Sequence, residues 1–143
     1  MVERSMTHAE LCAFLERHDL AVLATLSAAG TPQSALIGIA VTSTLEMVFD
    51  TLSTSRKYAN LVANPLCSLV IGWTGEITVQ YEGRAHEISG EAARPYMDVY
   101  FRTWPDGRAR QSWPGIAYFV VRPTWIRYSD FNRVPPEIHE RLF

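Results

Sequence analysis

The sequence predicts a mainly β, α+β chain: a small antiparallel barrel of six to seven strands with flanking helices. Three observations predict it. Short apolar or alternating runs recur along the chain, several of them rich in β-branched residues. The loops between most of them are short and carry Gly, Pro, Ser and Thr, which suits antiparallel hairpins and excludes parallel crossovers. Segments of helical period lie near the start, in the middle and after the longest alternating run. At 143 residues, of which 48% are hydrophobic, the chain suffices for a single domain over residues 1–143 with its own core.

Each element has a local reason. "THAELCAFLERHD" begins with Thr7, and Glu10 three positions later has capping-box spacing. Leu11, Phe14 and Leu15 share one face, so an amphipathic helix of about three turns is expected. "LAVLATLS", "QSALIGIAV" and "LEMVFDT" follow, separated by "AAGTP" and "TST", and read as a three-stranded meander. A second helix is expected from Ser55 to about Ala63, because Asn64 precedes Pro65 and is pushed out of helical geometry.

"LCSLVIGW" is a further strand, turned by Thr74-Gly75 into "EITVQYEGRAHEI". There Ile77, Val79 and Tyr81 alternate with Thr78, Gln80 and Glu82, and Gly83 marks a bulge or a close backbone approach. "SGEAARPYMDVYFRTW" is helical in character, with a break or a restart at Pro95. "PDGRARQSWPG" reads as a loop, and "IAYFVVRPTWIRYSDF" as two strands interrupted by Pro123. The tail "NRVPPEIHERLF" is expected to wrap the surface or a partner.

Composition narrows the function. A net charge of −2 with 20% charged residues argues against nucleic acid or an anionic membrane as the main partner. The first residues lack an apolar stretch long enough for a signal peptide or a spanning helix. The two cysteines, Cys12 and Cys67, sit in apolar segments without CxxC spacing and read as small buried hydrophobes, so a cytoplasmic location is expected. The four histidines have no ligand partners at metal spacing, and no metal site is expected. No GxSxG elbow, Walker loop, GxGxxG turn or carboxylate pair is present. An enzyme built from this sequence would borrow its reactive group from a cofactor.

One stretch stands out. In "DTLSTSRKYANLVANP" the second helix opens with Arg56 and the chain's only lysine, Lys57. A first turn is already partly positive, so cations are disfavoured there. On one reading Thr54 or Ser55 caps the helix and both cations are solvated, at a cost of about 0.3–1 kcal/mol. On the other, free N–H groups, the hydroxyls of Thr51, Thr54 and Ser55, and the two cations hold a phosphate monoester. A barrel this small encloses at most one small ligand, so a larger cofactor would lie outside it, in a groove completed by a second copy of the chain.

The order of "LATLSAAGTPQSALIGIAV", "LEMVFDTLSTSRKYANLVANPLCSLVIG" and "VQYEGRAHEI", closed by "RPTWIRYSDF", resembles the pyridoxamine 5'-phosphate oxidase-like family of FMN-binding split barrels over Leu20 to Asp130. The resemblance implies a split barrel and a homodimer with FMN at the subunit interface. It implies a phosphate site at Lys57, Arg56 and Ser55, next to Thr54. Ser34, Ala35 and Leu36, and Phe49, Asp50 and Thr51, match strand segments whose backbone lines the flavin ring, and Gln80 matches a region reaching the cofactor across the dimer. It also implies an oxidoreductase using a small-molecule substrate or an electron donor such as NAD(P)H. A non-catalytic flavin binder and a barrel using a deazaflavin are the alternatives. The chain departs from true pyridoxamine phosphate oxidases at "PPEIHERLF", which lacks their basic Arg-Leu-x-Pro ending, so oxidation of pyridoxamine phosphate is not expected.

Overall fold

A computed structural model describes residues 5–143. The elements follow as α1 (His8–Glu16), β1 (Leu20–Leu26), β2 (Pro32–Gly38), β3 (Ala40–Val41), β4 (Met47–Leu52), α2 (Arg56–Ala63), β5 (Leu66–Ile71), β6 (Ile77–Ile88), α3 (Arg94–Thr103), β7 (Ile116–Asp130) and β8 (Glu137–Leu142). All strands join one antiparallel sheet in the order β2-β1-β5-β6-β7-β4-β3, with β8 added beside β7. The sheet curls into a half-barrel flanked by helices. Alternate residues of its strands face inward, so Leu23, Phe49, Leu69, Tyr81, Phe119 and Ile126 form one core. Leu11, Phe14 and Leu15 of α1 join that core, and Thr7 caps the helix by accepting from the Glu10 N–H at 3.1 Å.

The long strand β7 shows how the sheet bends. Glu82 opposes Trp125 but Gly83 opposes Pro123, so Thr124 is an extra residue in the ladder. That one residue shifts the alternation, which lets both Phe119 and Ile126 face the core. Gly83 is required opposite the bulge, because a Cβ there would meet the Arg122 carbonyl at 2.4 Å. Pro123 therefore bends one continuous strand where two separate strands were expected.

Other expectations change for non-local reasons. The first three strands do not form a simple meander: β2 pairs β1, while β4 pairs β7 and the two-residue β3. The break between β2 and β3 coincides with Trp104, whose indole N–H donates to the Ile39 carbonyl at 3.0 Å. Its ring carbons lie 2.8 Å from where a Gly38 Cβ would stand. The segment Pro105–Ser112 is a 3-10 helix, not a loop, and the tail is strand β8. Pro95 lies in the first turn of α3, after a 3-10 turn over Glu91–Ala93.

Candidate functional site

The half-barrel stays open between β2 and β4. β2 ends the sheet, and beyond Val48 the corresponding edge of β4 has no strand partner among the described residues. Helix α2 starts beside this opening. Ser55 is its N-cap in extended geometry, accepting from the Tyr58 N–H at 3.2 Å, and Ser55 Oγ lies 2.8 Å from Thr51 Oγ1. This capping hydroxyl satisfies one donor of the first turn. It leaves the N–H groups of Arg56 and Lys57 without an intrahelical acceptor. Among the described residues, no ion pair or hydrogen bond engages either cationic head.

A cavity of about 200 Å³ lies next to these cations, walled by Leu23, Thr25, Gln33, Ser34, Ala35, Arg56 and Lys57. Four of the residues expected from sequence therefore meet here: Ser34, Ala35, Arg56 and Lys57. Ser55 and the buried Thr51 adjoin it through the cap, and Thr54 is exposed on the turn. Leu36 is 62% exposed on the outer face of β2.

The remaining expected residues do not line the cavity. Phe49 is fully buried, stacked on Phe119 at 5.4 Å between centroids, so only its backbone is available to a ligand. Asp50 is engaged by Arg110, whose Nε donates to Asp50 Oδ2 at 2.9 Å. Arg110 also donates to the Tyr100 hydroxyl and to Asp106 Oδ2, each at 3.2 Å, so its guanidinium is engaged by protein groups. Burial, followed by the charge of Asp50, raises the hydroxyls of Tyr100 and Tyr118 above their ordinary range. Arg108 lies over the Phe101 ring at 5.1 Å. Gln80 is exposed on β6, three strands along the sheet from β2, or about 14 Å at ordinary strand spacing.

Sequence reasoning missed Leu23, Thr25 and Gln33, which line the cavity, and Asn60, which holds two of them. The available signal was Asn60 itself, a polar residue on the face of α2 that also carries Leu61.

The comparisons bear on this geometry. The sequence profile of the family described as Pyridoxamine 5'-phosphate oxidase matches residues 7–130. A pyridoxine/pyridoxamine 5'-phosphate oxidase of Bordetella petrii is 32% identical over 104 residues, covering 72% of this chain and 48% of that protein. One from Bordetella avium is 33% identical over 92 residues, covering 64% and 42%. The chain thus spans about half the length of these relatives. Among solved structures, a heme binding protein from Mycobacterium smegmatis superposes with a TM-score of 0.82 at 16% identity, covering 99% of this chain and 60% of that one. A pyridoxamine 5'-phosphate oxidase-related, FMN binding protein from Nostoc punctiforme gives a TM-score of 0.66 at 13% identity, covering 87% and 86%. Those two likenesses speak to the fold alone. The profile match over residues 7–130, with the 32% identity across 72% of the chain, places this chain in the pyridoxamine 5'-phosphate oxidase family.

Proposed function

We propose that the chain binds FMN at the start of α2 and acts as an FMN-dependent oxidoreductase, with the cofactor in a groove completed by a second copy. One observation carries the reading: two cations without protein partners among the described residues stand at a helix N-terminus beside a small polar-walled cavity. The residues fit a phosphate monoester. Arg56 offers a planar fork, Lys57 a compact charge, Ser55 a hydroxyl, and the first turn its free N–H groups. A dianion there makes the cations favourable where they are otherwise misplaced.

The cavity volume of about 200 Å³ is below the roughly 300–1,000 Å³ that encloses a drug-sized ligand. It suits a phosphoryl group and the adjoining polyol, leaving a flavin ring to the open groove. There the outer edge of β2 and the edge of β4 beyond Val48, without a strand partner among the described residues, offer main-chain donors and acceptors. Bound flavin supplies hydride and electron transfer, which accounts for a chain whose motifs include no acid–base pair. The chain's own tasks are to hold the phosphate, orient the ring and exclude water.

The homodimer has its own support. Gln80 faces outward on β6, three strands along the sheet from β2, a position from which the partner's copy would reach the cofactor. The outer face bearing Gln80 also exposes Leu66 and Val70, apolar area suited to burial between copies.

The test compares FMN with riboflavin, which lacks the phosphate. Lys57→Ala is expected to weaken FMN by about 10- to 100-fold, the value of a charge-assisted contact of about 1.5–3 kcal/mol, and to leave riboflavin nearly unchanged. Equal losses would remove the phosphate role. A purified protein that takes up neither FMN nor a deazaflavin would end the cofactor assignment. Anaerobic bleaching of the bound flavin by NADH or NADPH supports the oxidoreductase over a storage or sensing protein.

A further inference from the structure

We infer that Asn60 is a positioning residue for this anion site: its carboxamide seats the start of α2 and decides which end of the Gln33 amide is left for a phosphate. The inference rests on the FMN reading above. Helix α2 has 8 residues, about two turns, and a helix that short has little stability of its own. Its seat is set by tertiary contacts, and its two buried residues are Asn60 and Leu61. Leu61 contributes apolar contact without direction. Asn60 contributes two directed bonds, its Nδ2 donating to Thr25 Oγ1 at 3.0 Å and to Gln33 Oε1 at 2.9 Å.

The two acceptors are themselves paired, since Thr25 on β1 stands opposite Gln33 on β2. A single side chain therefore bolts the helix to both strands that wall the cavity. Asn60 follows Arg56 by four positions and Lys57 by three, so all three share one side of the helix. Any tilt of α2 about this bolt moves the cations relative to Ser34 and Ala35.

The second consequence is chemical. A glutamine amide has an acceptor oxygen and two N–H donors. Asn60 occupies the oxygen of Gln33, and among the described residues the amide nitrogen has no protein partner. Gln33 lines the cavity, so what remains for a ligand is the donor end. With the amide reversed, an oxygen would face the phosphate and repel it. Asn60 is 7% exposed, a costly place for a carboxamide unless its donors are used, and both are. Arg56, Lys57 and Gln33 thus present a donor set at the cavity that depends on Asn60, one turn behind the two cations.

The experiment measures FMN and riboflavin affinities by flavin fluorescence for the wild type, Asn60→Leu, Gln33→Leu and the double variant. Asn60→Leu is expected to weaken FMN tenfold or more and riboflavin less than about threefold, and the double variant to lose no more than the worse single one. A purely structural role would lower both affinities by the same factor, or add independently to Gln33→Leu, and either result overturns the inference. A second measurement needs no variant. On titrating the wild type with inorganic phosphate, the Gln33 side-chain amide resonances should shift together with the Lys57 backbone amide, while those of Asn60 should not. A shift at Lys57 with none at Gln33 overturns the role of Asn60 and leaves the FMN reading standing. A wild type that binds no FMN and shows no shift at Lys57 removes both.

Discussion

Replacing Arg110 by methionine tests how the 3-10 segment Pro105–Ser112 is held against β4. The Arg110 and Asp50 side chains are 21% and 15% exposed, and their Nε–Oδ2 distance is 2.9 Å. Arg110→Met keeps most of the aliphatic packing but leaves the Asp50 carboxylate without its cation and the Tyr100 hydroxyl without that donor. Removing one partner of a fully buried pair costs about 3–5 kcal/mol, and breaking an exposed pair about 0.2–1 kcal/mol. With the pair mostly but not wholly shielded, the expected loss is about 2–3 kcal/mol. For a chain of this size that lowers the thermal midpoint by roughly 5–12 °C, read by circular dichroism. Asp106 provides the internal control. Its contact with Arg110 is also an ion pair, at 3.2 Å, but its side chain is 70% exposed. Asp106→Asn should cost less than about 0.5 kcal/mol. If Arg110→Met costs under about 1 kcal/mol, or Asp106→Asn costs as much as Arg110→Met, then burial does not govern the strength of this pair and the reasoning fails.

Two further outcomes follow from local geometry. Gly83→Ala places a methyl 2.4 Å from the Arg122 carbonyl, a backbone atom that cannot rotate away, so a loss of about 3 kcal/mol or more is expected in urea unfolding. A loss under about 1 kcal/mol would mean the bulge relaxes freely. Burial pushes the Cys67 thiol from 9.0 up to about 12. Below pH 9 both folded and unfolded chains keep the proton. As pH rises above 9 the unfolded chain ionises first, and stability falls by at most about 1.4 kcal/mol per pH unit until the folded thiol also ionises. Cys67→Ala should flatten part of that decline between about pH 9 and 11, and an unchanged slope would remove the thiol from the account.

Much of the fold was legible because capping, periodicity and turn chemistry are local. Thr7 with Glu10 fixed the start of α1, Pro65 the end of α2, and Gly83 the site of the bulge. Pro123 was misread because a proline in a strand pattern signals either an end or a bulge. Only the partner strand, with Gly83 opposite, decides between them. At the candidate site, Arg56 and Lys57 were visible as charges at the disfavoured end of a helix. Thr25 and Gln33 were not, because each looks ordinary in its own segment, and nothing within α2 tells that Asn60 bonds to both. Asp50 and Arg110 stand 60 positions apart, and nothing in either segment announces the other.

By itself, the sequence determined the kinds of element, their order and the cationic start of α2, because each depends on neighbours within a few residues. Tertiary structure alone decided that β4 pairs β7 and leaves an edge open toward β2, that α2 is bolted across β1 and β2, and that Asp50 is taken by Arg110. Those contacts join residues far apart in the chain. Which ones form is settled by what the whole curled sheet can bury and hydrogen-bond at once.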